Sequence, residues 1–163
     1  MSSASFQKQK LLSEWWTPFL GTNAVTILQA GESLSRNLLL TRVKQLVSRM
    51  PKEIVVYVLF QATTDGHLPV YVGKSHNPLL RWKSHADAWL AGKKSYRRWQ
   101  VSLLNEEGNS LFNLDLLIVP ASSIAHPAIP GFPTSVGSIE YQLVGLASDA
   151  FPGVLLNDIG VGR

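Results

Sequence analysis

Apolar residues recur at helical intervals near both ends of this chain and crowd into short runs in its middle, and the two patterns predict different elements. Residues 4–16 form a weak amphipathic helix, broken by Pro18 and Gly21. Residues 33–49 form a stronger one: Leu39, Val43, Leu46, Val47 and Met50 fall near helical spacing, Ser33 is placed to cap the start and Pro51 ends it. The β-branched and aromatic run 54–60 is too short for a typical helix and predicts a buried strand. Asp65-Gly66 marks a turn, and Val70-Tyr71-Val72 is the returning strand of a hairpin, ended by Gly73.

Asn77-Pro78 is a sharp helix start, because asparagine accepts from first-turn amides and proline suits the first helical position. Leu79, Trp82, Ala86 and Trp89 form the apolar stripe of that helix, and Gly92 suits its C-terminal end. Arg81 and His85, four apart, are expected on a different face. A further helix over about 95–105 carries Tyr96, Trp99 and Leu103, aromatics expected to fill the core. Leu111 to Val119 predicts a third strand, with Phe112, Leu114, Leu116 and Ile118 on one face. Residues 120–135, with four prolines, predict an irregular loop long enough to be a functional or partly mobile surface. A last helix runs from about Ser138 to Asp149 with Ile139, Leu143 and Leu146 inward, and the apolar tail Val154-Leu155-Leu156-Asn157 is expected to be tied down. The class is therefore α+β: a small central three-stranded antiparallel sheet flanked by helices. It divides into an N-terminal helical extension, residues 1–52, and a core, residues 53–163.

Composition narrows the function. With 163 residues and 45% hydrophobic content, the chain can bury a real core. No apolar run approaches the length of a membrane span, and no secretory leader is evident, so a cytoplasmic protein is expected. The absence of cysteine excludes disulfides, thiolate zinc sites and cysteine nucleophiles. The net charge of +4 is unevenly spread: between Lys74 and Arg98 seven basic side chains face one acid, giving +6, while eight basic and ten acidic residues elsewhere give −2. A concentrated basic stretch suits a polyanion such as nucleic acid, although a solubilising helical face has the same composition.

Within that stretch, Tyr71-Val72-Gly73-Lys74 followed by Arg81-Trp82-Lys83-Ser84-His85 resembles the second half of the GIY-YIG nuclease signature, in which a strand ends in glycine and an arginine follows ten residues after the tyrosine. Val55-Val56-Tyr57 occupies the place of the GIY triplet, with valine replacing glycine and isoleucine but the tyrosine hydroxyl kept. Glu140 stands where the family places its metal-binding glutamate, and Asn157 where it often has an asparagine. The resemblance covers about residues 53–158. Lys74 and His85 make it look closer to the restriction-enzyme branch than to the repair branch.

The resemblance implies a DNA endonuclease, and the chemistry of each residue suits that. A lone glutamate suits Mg²⁺, with Mn²⁺ expected to substitute, because Mg²⁺ keeps several waters and takes one or two carboxylates. Arg81 offers a permanently charged planar fork to phosphate oxygens. Tyr57 is the expected general base and Tyr71 a phosphate or water contact; a phenol with a pKa near 10 needs a nearby cation, such as Lys74 or the metal, to serve as base. His85 would orient the base or touch phosphate, and Asn157 would steady the metal-ligand shell or cap a turn. Lys83, Lys93, Lys94, Arg97 and Arg98 are expected on the DNA backbone, supplying affinity without sequence choice. His67, His76 and His126 fall on predicted loops without metal-ligand spacing.

A sequence-specific restriction enzyme is the leading expectation, dimeric if its target is palindromic. The N-terminal extension or the 120–135 loop would then serve recognition or dimerisation. A non-catalytic nucleic-acid-binding module on the same fold, or a structure-specific, single-strand or homing-type nuclease, are the alternatives.

Overall fold

The computed structural model describes residues 3–157 as an α+β fold around one four-stranded antiparallel sheet. Helix α1 (Ser3–Trp16) passes through a short 3₁₀ turn and α2 (Leu20–Asn23) into strand β1 (Ala24–Leu28). Helix α3 (Arg36–Val47) precedes the hairpin β2 (Val55–Thr63) and β3 (Gly66–Ser75). Helices α4 (Pro78–Ala91) and α5 (Tyr96–Leu103), strand β4 (Asn113–Pro120) and helix α6 (Val136–Ala150) follow.

The sheet order is β1-β4-β2-β3, so β3 is an edge strand. The strand β1 corrects two expectations, a three-stranded sheet and a wholly helical N-terminal extension. It pairs antiparallel with β4 from Ala24 opposite Leu117 to Leu28 opposite Leu114. Residues Ile27, Leu28, Leu39, Val43 and Leu46 enter the same apolar cluster as Tyr57, Trp82, Trp89 and Ile118. The first 52 residues thus build part of the common core.

Both faces of the sheet are covered. Val55, Tyr57 and Leu59 of β2 point into the cluster under α3, α4 and α5, whereas Val56, Val58 and Phe60 point to α1 and α6. That two-sided burial is why the strand is apolar at every position instead of every second one.

Local chemistry sets most boundaries. The Asn77 side chain accepts from Leu80 N at 3.1 Å, Pro78 opens α4, and Gly92 closes it in the left-handed conformation (φ 65°). Helix α3 is capped by Ser35, not Ser33, whose hydroxyl donates to Asn109 Oδ1 at 2.7 Å. Strand β3 continues past Gly73 to Ser75, and His67, expected on a loop, lies within it against Phe60 and 3.3 Å from Asp115 Oδ2.

The long 120–135 segment is irregular but pinned. Buried Gln142 accepts from Ala128 N and Ile129 N, both at 2.9 Å, and donates to Pro133 O at 2.7 Å; Trp15 Nε1 donates to His126 O at 3.0 Å. The tail is tied down too, against the β3 edge: Leu156 N donates to Val70 O at 2.7 Å, and Asn157 brackets Val72, accepting from its N–H at 3.0 Å and donating to its carbonyl at 2.7 Å. These bonds satisfy backbone groups that an edge strand would otherwise leave open.

Candidate active site

Strand register brings the hairpin tyrosines together. Tyr57 lies opposite Gly73 and Leu59 opposite Tyr71, so both phenols occupy the α4 face of the sheet, with ring centroids 6.2 Å apart and planes 18° from parallel. The glycine is required by this packing. A β-carbon on Gly73 would lie 2.4 Å from both Cζ and the hydroxyl oxygen of Tyr57, so the phenol rests across bare backbone. Gly73→Ala should therefore destabilise the protein by ~1–3 kcal/mol, the range for overpacking a filled core. Urea unfolding checks this, and a variant as stable as wild type would mean that the ring has room to move.

Helix α4 supplies the next layer. Spacing alone put His85 with Arg81 on a face away from the apolar stripe, but the His85 ring is fully buried among Tyr57, Tyr71, Trp82, Tyr96 and Trp99. Both of its nitrogens are engaged. Nε2 is 2.8 Å from the Tyr57 hydroxyl and Nδ1 is 2.8 Å from the Tyr96 hydroxyl. Tyr96, expected to be a core aromatic, instead turns its hydroxyl to this imidazole. Its position one turn beyond the α4 helix, beside Arg97 and Arg98, carried no signal for this bond.

The electrostatics decide how this chain of groups works. Burial, then the charge of Arg81, lowers His85 to about 3, so its imidazole is neutral near pH 7. A neutral ring has one donor and one acceptor nitrogen, so the two tyrosines cannot both donate to it. Tyr57 is pushed above the ordinary phenol value by burial and then by Tyr71, with Arg81 opposing. Arg81 is a cation acting on this phenol, one that the spacing did not offer beside Lys74 and the metal. Tyr57 accordingly keeps its proton near neutrality.

The buried imidazole also predicts a pH dependence of stability. On unfolding it regains a value near 6.5. Below that pH the unfolded chain binds a proton that the folded chain refuses until about pH 3. Stability falls as the pH drops through this window, by roughly 2 kcal/mol between pH 7 and pH 5 from this group. His85→Gln, which cannot take up that proton, should lack this part of the slope in urea titrations; an equal slope in both proteins would overturn it.

The remaining predicted residues divide around the β3 edge. Lys74 is exposed, and its Nζ comes within 3.4 Å of where a β-carbon on Gly137 would stand, in the first turn of α6. Glu140 is half-buried three residues further along that helix, on the side that Gly137 shares. Asn157 is buried, and its amide grips Val72, the residue between Tyr71 and Gly73, instead of capping a turn.

The predicted basic residues occupy several local settings. Lys83 lines a cleft between α3 and α4, Arg97 lines another beside Glu106, Arg98 donates to Leu155 O at 3.2 Å, and Lys93 and Lys94 occupy the exposed α4–α5 turn. Among the described residues no three His, Cys, Asp or Glu side chains are grouped to share a metal, and no helix is long and apolar enough to cross a membrane.

Comparison of the chain with protein-family models, with curated proteins and with solved structures gives no significant match.

Proposed function

We propose that this protein is a metal-dependent DNA endonuclease that hydrolyses phosphodiester bonds, with restriction-type cleavage as the leading form. The observation that carries the reading is the Tyr57–His85–Tyr96 hydrogen-bonded chain, centred on the buried His85, with the Arg81 guanidinium acting on Tyr57.

Arg81 presents a fixed fork of donors to the phosphate oxygens and offsets the charge that builds on phosphorus. Tyr57 acts by relay. In the His85 tautomer whose Nδ1–H donates to Tyr96, the Nε2 lone pair faces the Tyr57 hydroxyl, which can pass its proton to the ring as it takes one from the attacking water. A bound phosphodiester brings negative charge to Arg81 and so relieves one of the two causes that hold His85 down. Tyr71 stacks on Tyr57 and steadies its ring, and Asn157 holds the intervening strand in register. Glu140 would hold Mg²⁺, or Mn²⁺ in its place, and the cation would supply charge stabilisation at the phosphate and the leaving oxygen.

Purified protein incubated with plasmid, phage, single-stranded and branched DNA, with and without Mg²⁺, tests the reading. Discrete Mg²⁺-dependent fragments would support a sequence-specific enzyme and a smear a non-specific one. DNA bound but uncut in Mg²⁺ and Mn²⁺ would overturn catalysis in favour of a binding module.

A further inference from the structure

Helices α3 and α4 run antiparallel, Arg36 at the start of one reaching Asp87 near the end of the other at 2.6 Å. The seam between them opens into a cleft of about 600 Å³ whose polar lining is Arg36, Asn37, Thr41, Lys44, Asn77 and Lys83. No carboxylate lines it. Arg36 is committed to Asp87, whereas Lys44 and Lys83 are exposed and form no ion pair among the described residues. Asn37, Thr41 and Asn77 add neutral hydrogen-bonding groups between the cations. A second cleft of about 540 Å³ shares Lys44 and Asn77 and carries Lys52, His76 and the carboxylate of Glu53, so the acid-free surface is the first cleft alone.

This surface adjoins the candidate active site. Asn77, at its end, is the residue whose carbonyl accepts from Arg81 N at 3.0 Å, one helical turn away. Lys83 and Arg81 leave opposite sides of α4, since two helical positions span about 200°. The cleft is therefore a distinct surface reached by passing around the start of α4, and half of it comes from the N-terminal segment.

We propose that the α3–α4 cleft binds the phosphate backbone of duplex DNA flanking the scissile bond, with Lys44 and Lys83 as its working cations. This rests on the nuclease reading above. In the 600 Å³ cleft, two cations without an ion pair among the described residues, neutral donors between them and no lining acid match a row of phosphates. The exposed Leu80 at the rim adds apolar contact that suits a sugar edge. The proposal gives α3 a role in positioning substrate that the composition of residues 1–52 does not announce.

The test uses full-length protein and a fluorescent duplex in EDTA, so that binding is read without cleavage, over a series of salt concentrations. Lys44→Gln and Lys83→Gln should each weaken binding roughly five- to tenfold at 0.1 M salt and reduce the slope of log K against log salt by about 1, and the double variant by about 2. Lys10→Gln, on α1, serves as control and should bind as wild type does. Wild-type binding with an unchanged slope in both cleft variants would overturn the cleft proposal and leave the nuclease reading standing. Failure of wild type to bind any duplex would overturn the cleft proposal, while Mg²⁺-dependent cleavage of the DNA panel decides the nuclease reading separately. Both lysines are exposed, so melting temperatures near wild type should accompany the binding loss; a slope change seen only in a variant that has lost its fold would count against the proposal.

Discussion

Replacing Glu140 by Gln should abolish DNA cleavage while leaving duplex affinity within a few-fold of wild type. The carboxamide has nearly the same shape, so α6, capped by Ser135 and packed through Ile139 and Leu143, should keep its place. What is lost is the negative charge that a hard cation requires. Cleavage in Mg²⁺ and Mn²⁺, together with duplex binding in EDTA, checks both halves. Full activity in the variant would remove Glu140 from the mechanism. Loss of binding along with cleavage would assign the side chain to holding the fold near Lys74 and Gly137.

Arg81→Ala should lower cleavage by at least ~100-fold, the scale for losing one donor aimed at transition-state charge. Arg81→Lys should recover only part of this, because an ammonium carries the charge without the planar fork. The same variant has a readout independent of turnover. Arg81 is the second cause of the low His85 value and opposes the high Tyr57 value, so its removal should move both upward. NMR titration of the His85 ring would register the shift. An unchanged cleavage rate would sink the role of Arg81; an unchanged His85 titration would mean that burial alone controls the imidazole.

Arg81 could be singled out in the chain because it sits in a short, rigidly spaced context, whereas Glu140 was singled out only by the resemblance. Tyr71 and Arg81 are ten apart across one strand end and one helix start, and Asn77-Pro78 places that start within a residue. The same locality made α4 readable from cap to Gly92, and it made the 54–60 run readable as a strand. Each of these inferences uses interactions within a helical turn or a hairpin, where propensity and hydrogen-bond geometry act on neighbouring residues.

Residues far apart in sequence escaped. Strand β1 has a plausible apolar pattern, Ala24-Val25-Thr26-Ile27-Leu28, but nothing local distinguishes it from a connecting segment. It becomes a strand because β4 offers an edge, with Thr26 Oγ1 donating to Asp115 Oδ1 at 2.6 Å across 89 residues. His85 was misplaced for a related reason. Helical spacing gives its azimuth on α4, but burial depends on what closes over it, and that is Tyr57 from the sheet and Tyr96 from α5. Asn157 likewise acquires its partner, Val72, from a strand 85 positions earlier.

Periodicity and turn chemistry determined most element types and the α+β class, because they depend on near neighbours, while the candidate site residues came from the resemblance of the 55–85 stretch and of Glu140 and Asn157 to a known signature. Packing alone decided the fourth strand, the integration of residues 1–52, the burial of His85 between two tyrosines and the cleft joining Lys44 to Lys83. Those features depend on which distant surfaces exclude water from one another, and a linear pattern of apolar positions says that a face will be buried without saying against what.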